Sequence, residues 1–197
     1  MTKISDLTVN TDNPLETVEN FLVDKLFENS ANVMDYYEEN RQEITDDFLL
    51  HFIKLCKHGE SQQRTNLKAP ITYIHVSFLR SSLLTEGYEF RIGLHNKNFW
   101  LDIIETSVYW KADFIFQYVE PDINEVRMIL KPFPNISEYE INQIKYRYAQ
   151  CYLMPVAFQI VQDVMYEAVE IPEILHLEFD EEMFVLFGGY MERGENI

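Results

Sequence analysis

Three groups of side chains have the types and spacing to do chemistry. The first is His75, Arg91 and His95. His75 lies in the run Ile71–Leu79, which is rich in β-branched and aromatic residues, and Arg91 and His95 lie in a segment where Tyr88, Phe90, Ile92 and Leu94 alternate with Glu89, Arg91, Gly93 and His95. A period of two places alternate side chains on opposite faces of a strand. If the two strands pair, Tyr73, His75, Ser77, Arg91 and His95 line the face opposite Ile74, Val76, Phe78, Phe90, Ile92 and Leu94. Imidazoles beside a guanidinium can do acid–base work or hold a small ligand. A polar sheet face, solvated or covered by a helix, has the same pattern and is the plainer expectation.

The second group is His51, Cys56 and His58. His51 and His58 can share a helix face, which makes them candidate metal ligands. Zinc sites declare themselves by paired close spacings and four ligands, and this group has neither. The expectation is a buried thiol with two surface histidines, no metal and no cofactor.

The third group is acidic. Asp35, Glu38, Glu39, Glu43, Asp46 and Asp47 form one dense run, and Glu167, Glu170, Glu173, Glu178, Asp180, Glu181 and Glu182 form another. Tyr36 and Tyr37 precede Glu38 and Glu39, and tyrosine is a frequent interface anchor. Tyr36, Tyr37, Glu38, Glu39, Asp180, Glu181 and Glu182 are therefore candidate contacts for a basic partner; a solvated face and a helix end packed in the core are the alternatives.

The whole chain of 197 residues carries 33 acids and 16 Lys or Arg, a net charge of −17. Residues 1–50 hold 12 acids and 3 bases (−9), residues 51–111 hold 5 and 8 (+3), and residues 112–197 hold 16 and 5 (−11). Such a field repels nucleic-acid phosphates and anionic lipid and attracts basic proteins. The basic residues of the middle segment, Arg64, Lys68, Arg80, Arg91, Lys97 and Lys111, are too sparse for a nucleic-acid patch and are expected to pair with acids on flanking helices. No Gly-rich phosphate loop, H-E-x-x-H or G-x-S-x-G is present, which lowers the expectation of an enzyme.

The elements that must position these groups are legible in part. Asn13-Pro14-Leu15-Glu16 starts a helix, with Leu15, Val18, Leu22 and Leu26 on one stripe; the pattern weakens at Asn29-Ser30, and Thr45-Asp46-Asp47 opens a second helix that stops at Gly59. Residues 71–104 read as an antiparallel meander, with Phe99, Leu101 and Ile103 as the returning strand after a turn at Asn96-Lys97-Asn98. Tyr109–Tyr118 and Asp122–Leu130 fit helix or strand. Ser137 and Glu140 form a capping box for a long helix, which Pro155 must kink or split. Leu175, Leu177 and Phe179 alternate as a strand, and Met183 to Phe187 suggest another.

The expected fold is α+β: an antiparallel sheet, with strands within 71–104 and 174–187, packed with N-terminal helices and a long central helix from about 138 to 169. One globular domain spanning 1–197, with short disordered ends, accommodates it. Hydrophobic residues at 47% supply a core. Two distant cysteines and no leader-like apolar segment suit a reducing, cytoplasmic location. The longest uncharged apolar stretch, Ala149–Gln162, is shorter than the ~20 residues that span a bilayer. The expected protein is a small acidic intracellular binding protein, non-enzymatic, that docks a basic protein as an inhibitor or immunity protein does; homo-oligomerisation is compatible. The alternative is an enzyme or small-ligand protein that uses the His75/Arg91/His95 face.

Overall fold

The computed structural model describes residues 13–192 and 194–197, and the expected N-terminal end lies outside them. In chain order the elements are α1 (Pro14–Arg64), β1 (Ile71–Phe78), α2 (Arg80–Leu84), β2 (Glu89–His95), β3 (Ser107–Lys111), α3 (Asp113–Phe116), α4 (Val119–Leu130), α5 (Glu138–Tyr148), α6 (Met154–Ala168), β4 (Phe179–Gly189) and β5 (Glu195–Asn196). The fold is α+β. The chain forms two compact units, one of residues up to Glu38 with Asp113–Ala157, the other Glu39–Ala112 with Phe158–Ile197.

α1 begins as its sequence dictates: Glu16 N–H donates to Asn13 Oδ1 at 3.4 Å, and Asn13 Nδ2 donates to Glu16 Oε2 at 3.2 Å. In place of N-terminal helices divided before Thr45, residues 14–64 form one element of 51 residues in which two helical stretches join across a kink at Asn40 (φ −118°, ψ 17°). Asparagine bonds readily to its own backbone and so tolerates such a break. Asn29, where the pattern weakens, stays helical. Its amide donates to Asp122 Oδ2 at 2.7 Å, and Tyr148 OH donates to the same oxygen at 2.6 Å.

The helical unit resolves one ambiguity. Val119, Ile123, Val126 and Ile129 are buried at helical spacing on α4, while Met128 is exposed. α5 has the expected capping box, with Ser137 N–H donating to Glu140 Oε2 at 2.7 Å and Glu140 N–H to Ser137 Oγ at 3.4 Å. The long central helix is not continuous. Ala149–Leu153 form a π-type turn, and α6 starts anew at Met154. Pro155 has no N–H for the Cys151 carbonyl and its ring crowds that carbonyl; one wider turn relieves both.

The second unit carries a five-stranded sheet in the order β3-β2-β1-β4-β5. It is mixed, not antiparallel as the sequence suggested. β1 pairs antiparallel with β2 and parallel with β4. Parallel pairing needs a long crossover, and most of the chain lies between β1 and β4. The expected returning strand is also displaced: Phe99–Leu101 is a single 3-10 turn, and Ser107–Lys111 is the third strand. Tyr109–Tyr118 is therefore strand to Lys111 and then helix at Asp113–Phe116. Leu175 and Leu177 do not extend a strand, because Pro172–His176 is another 3-10 turn; β4 starts at Phe179. Glu195–Asn196 pair with Leu186 and Phe187 of β4.

One sheet face is apolar. Ile74, Val76, Phe78, Phe90, Ile92 and Leu94 are buried on it. Phe48 of α1 meets Trp110 edge-on at 5.0 Å, and Phe158 of α6 meets Phe187 at 5.7 Å. Gly59 is not the helix stop; a Cβ there would lie 2.8 Å from Leu94 Cδ1, so glycine marks the close approach of α1 to β2. Replacing Ser137 with Ala removes the α5 cap and is expected to lower stability by ~1 kcal/mol, read as a lower urea midpoint by far-UV circular dichroism.

Candidate functional site

The other sheet face holds the polar residues that the alternation assigned to it. Tyr73 pairs with His95, His75 with Gly93 and Ser77 with Arg91 across β1 and β2, so all six share one face. The imidazole centroids of His75 and His95 are 6.5 Å apart.

Among the described residues this face is neither solvated nor covered by an α-helix. The 3-10 turn after β2 folds back over it. Phe99 packs on Tyr73, His75 and His95 at 4.7, 5.6 and 5.3 Å. Trp100 stands edge-on to His75 at 5.0 Å and to His95 at 5.2 Å, and Tyr190 closes on Trp100 at 5.5 Å. His75 is 0% exposed as a result.

A buried ion pair holds the turn down. Lys68 Nζ donates to Asp102 Oδ2 at 2.6 Å, to the Ile104 carbonyl at 2.7 Å and to the Leu94 carbonyl at 2.8 Å. All three ammonium donors are thus satisfied. Asp102 accepts in return from Asn96 N–H at 2.9 Å and from Ile104 N–H at 3.1 Å. Burial pushes the Lys68 ammonium below its ordinary pKa, against the pull of Asp102. Burial pushes Asp102 up, but Lys68 and the two backbone N–H groups outweigh it and hold its carboxyl low.

Both histidines are neutral. Burial, then repulsion by His95 when it is protonated and by Arg91, lowers His75 to about 3. Burial, then Arg91 and Lys68, lowers His95 to about 4. Arg91 Nη1 lies 3.5 Å from His95 Nε2 and Nη2 lies 3.4 Å from Glu105 Oε1, while its guanidinium sits 5.4 Å over the Tyr190 ring. Neither ring nitrogen of His75 has a hydrogen-bond partner among the described residues. A buried polar atom without a partner is rare in a folded protein and asks for a cause.

The remaining candidates are placed as follows. His51 Nδ1 bonds the Asp47 carbonyl at 2.9 Å, and His58 Nε2 meets Gln62 Nε2 at 3.0 Å, each within its own helix. Cys56 is buried, and burial with the charge of Glu173 pushes its thiol up to about 12. Among the described residues no three His, Cys, Asp or Glu side chains gather as metal ligands. Tyr37 is in the core, whereas Tyr36 is 44% exposed and stacks on Phe114 at 5.8 Å. Glu38, Glu39, Asp180, Glu181 and Glu182 are exposed. Lys68 and Arg91 do not pair with flanking helices: their acids, Asp102 and Glu105, come from the same 51–111 segment.

Sequence reasoning missed Phe99, Trp100, Tyr190 and the Lys68–Asp102 pair. Phe99-Trp100 directly after Asn96-Lys97-Asn98 was a signal for an aromatic turn; nothing local marked Lys68. No family model, no curated protein and no solved structure matches this chain.

Removing one member of a buried ion pair strands the other, so Lys68→Ala is expected to cost ~3–5 kcal/mol, read by urea denaturation. A pH dependence follows from the histidines. Their folded values, about 3 and about 4, lie below the 6.5 of a free imidazole, so between those limits the unfolded chain binds more protons. Stability is then complete above ~pH 6.5 and falls as pH is lowered toward 4. The urea midpoint should be flat from pH 7 to 8 and drop by pH 5, and His75→Leu should retain more of its midpoint at pH 5 than the wild type.

Proposed function

We propose that this is an acidic, non-enzymatic binding protein that docks a basic protein partner in the cytoplasm, as an inhibitor or immunity protein docks a basic toxin or nuclease. One observation carries the reading. Among the described residues, no Lys or Arg pairs with Asp35, Glu38, Glu39, Glu43 or Asp46, nor with Glu178, Asp180, Glu181 or Glu182. Several of the cations are committed to other carboxylates: Lys25 to Asp122 and Glu125, Arg41 to Asp163, Arg127 to Glu138, Lys145 to Glu120. These nine carboxylates therefore keep their charge for an external partner, and exposed Tyr36 beside Glu38 supplies an aromatic anchor. Such a surface speeds encounter and rejects anionic competitors. Cys56 and Cys151 are free thiols, in keeping with a reducing compartment. No helix among the described residues is long and apolar enough to cross a membrane.

The unpartnered imidazole of His75 supports a second reading, a small-ligand site on the His75/Arg91/His95 face.

The immobilised protein should retain a basic protein from cell extract at ~50 mM salt and release it near ~500 mM, where the screening length is a few Å. Reversing Asp180, Glu181 and Glu182 to Lys should weaken retention at least ~10-fold, since charge placed against charge costs several kcal/mol. Retention that ignores both salt and this reversal, and also reversal of Glu38 and Glu39, would defeat the docking reading.

A further inference from the structure

Resting on the second reading above, the chemistry of the covered sheet face narrows to one class of ligand. Arg91 brings a fixed positive charge with planar N–H donors, and its side chain is 6% exposed. Its polar contacts, 3.4 Å to Glu105 and 3.5 Å to His95, are long for a charged donor, which normally reaches its acceptor at ~2.7–2.9 Å. Beside it His75 offers one donor and one acceptor nitrogen, both unused among the described residues. Two under-satisfied polar groups thus lie on one buried sheet face.

Gly93 lets the charged and aromatic side chains lie flat on that face. It pairs directly with His75, and a Cβ on it would stand 2.7 Å from Arg91 Nη1 and 2.9 Å from His95 Nε2. Any other residue would have to displace the Arg91 guanidinium or the His95 imidazole. The walls are aromatic, and the two turns that carry them are strained. Phe99 sits at φ 51° and Met191, next to Tyr190, at φ 64°, both in the left-handed region that bulky side chains avoid. Strain of this kind persists where surrounding structure enforces it, and it concentrates at ligand clamps.

These features select the ligand. A cation is repelled by Arg91. A metal would find two imidazoles and no third ligand among the described residues. A planar anion with two oxygens matches a guanidinium, and an apolar body matches rings of Phe, Trp and Tyr. The protein already shows the arrangement in loose form. The Glu105 carboxylate reaches Arg91 from the rim at 3.4 Å, yet its side chain is 69% exposed and it also accepts from Ser107 Oγ at 2.9 Å. It is the group that a competing carboxylate would have to replace. We propose that this face of the sheet binds a small monocarboxylate with an apolar body. Its carboxylate is taken by Arg91 with His75 and His95, and its body by Phe99, Trp100 and Tyr190.

The test follows the imidazole ring signals of His75 and His95 by NMR during titration with sodium propionate and sodium benzoate. Propionamide, benzamide and inorganic phosphate serve as parallel arms. The expected result is a saturable shift of both rings with at least one carboxylate, with Kd of about 1 mM or tighter, and none with the matching amide. Glu105→Gln removes the internal competitor at an exposed position and should tighten that carboxylate by about 2–5-fold. Saturation by phosphate alone, or by the amides as well as the carboxylates, would overturn the monocarboxylate assignment and leave a small-ligand site standing. No saturable shift with any probe, in the wild type and in Glu105→Gln, would overturn both.

Discussion

β1 lies between β2 and β4 in the sheet, and this interior position is the constraint from which the rest of its unit follows. Both edges of β1 are hydrogen-bonded, so its side chains can leave only through the two faces. One face takes Ile74, Val76 and Phe78 into the helix-covered core. The other must then take Tyr73, His75 and Ser77, whatever covers them. What covers them is a turn of a few residues that has little stability of its own. Its stability is borrowed from Lys68 and Asp102, whose charges leave water but lose no hydrogen bond by doing so. A buried pair is tolerable on those terms and no others. The turn in turn keeps water from His75 and His95 and so keeps both imidazoles neutral.

The same molecule handles charge in two opposite ways. Lys68 and Arg91 are drawn inside and matched to single carboxylates of their own segment. Among the described residues, Asp35, Glu38, Glu39, Glu43 and Asp46 of the first dense run and Glu178, Asp180, Glu181 and Glu182 of the second stay outside with no Lys or Arg paired to them, while Asp47 accepts from Trp110. Two of the eight basic residues of the positive middle segment are therefore internal, while Lys54, Lys57, Arg64, Arg80, Lys97 and Lys111 are exposed. A basic macromolecule and a small carboxylate make different demands on such a protein. The first needs the outer field and loses affinity as salt screens it; the second must overcome that field and depends on one buried guanidinium.

Legibility in the sequence tracked how local the determining interaction was. The Ser137–Glu140 box spans one helical turn, and it forms as read. The alternation in 88–95 is a property of one strand, and it placed Arg91 and His95 on a common face with His75. Where the decision came from far along the chain, the pattern misled. Phe99, Leu101 and Ile103 alternate like a strand, but Asp102 between them is claimed by Lys68, 34 residues away, and the segment turns instead. Thr45-Asp46-Asp47 looks like a helix start, yet α1 passes through it because Ile44, Phe48 and Phe52 are buried in one continuous stripe. Met128 fits a strand pattern with Val126 and Leu130, but burial of Val119, Ile123 and Val126 made α4 a helix.

From the chain alone came the α+β class, the excess of acid, the capped start of α5, the interruption near Pro155 and the shared face of His75, Arg91 and His95. Each depends on backbone geometry or side-chain chemistry over a few residues, and both are written locally. The tertiary structure alone decided that β4 pairs parallel to β1, that Phe99, Trp100 and Tyr190 enclose the two imidazoles, and that Lys68 holds their cover in place. Those outcomes rest on contacts between distant segments, where burial and desolvation outweigh local preference, and no window along the sequence contains both partners.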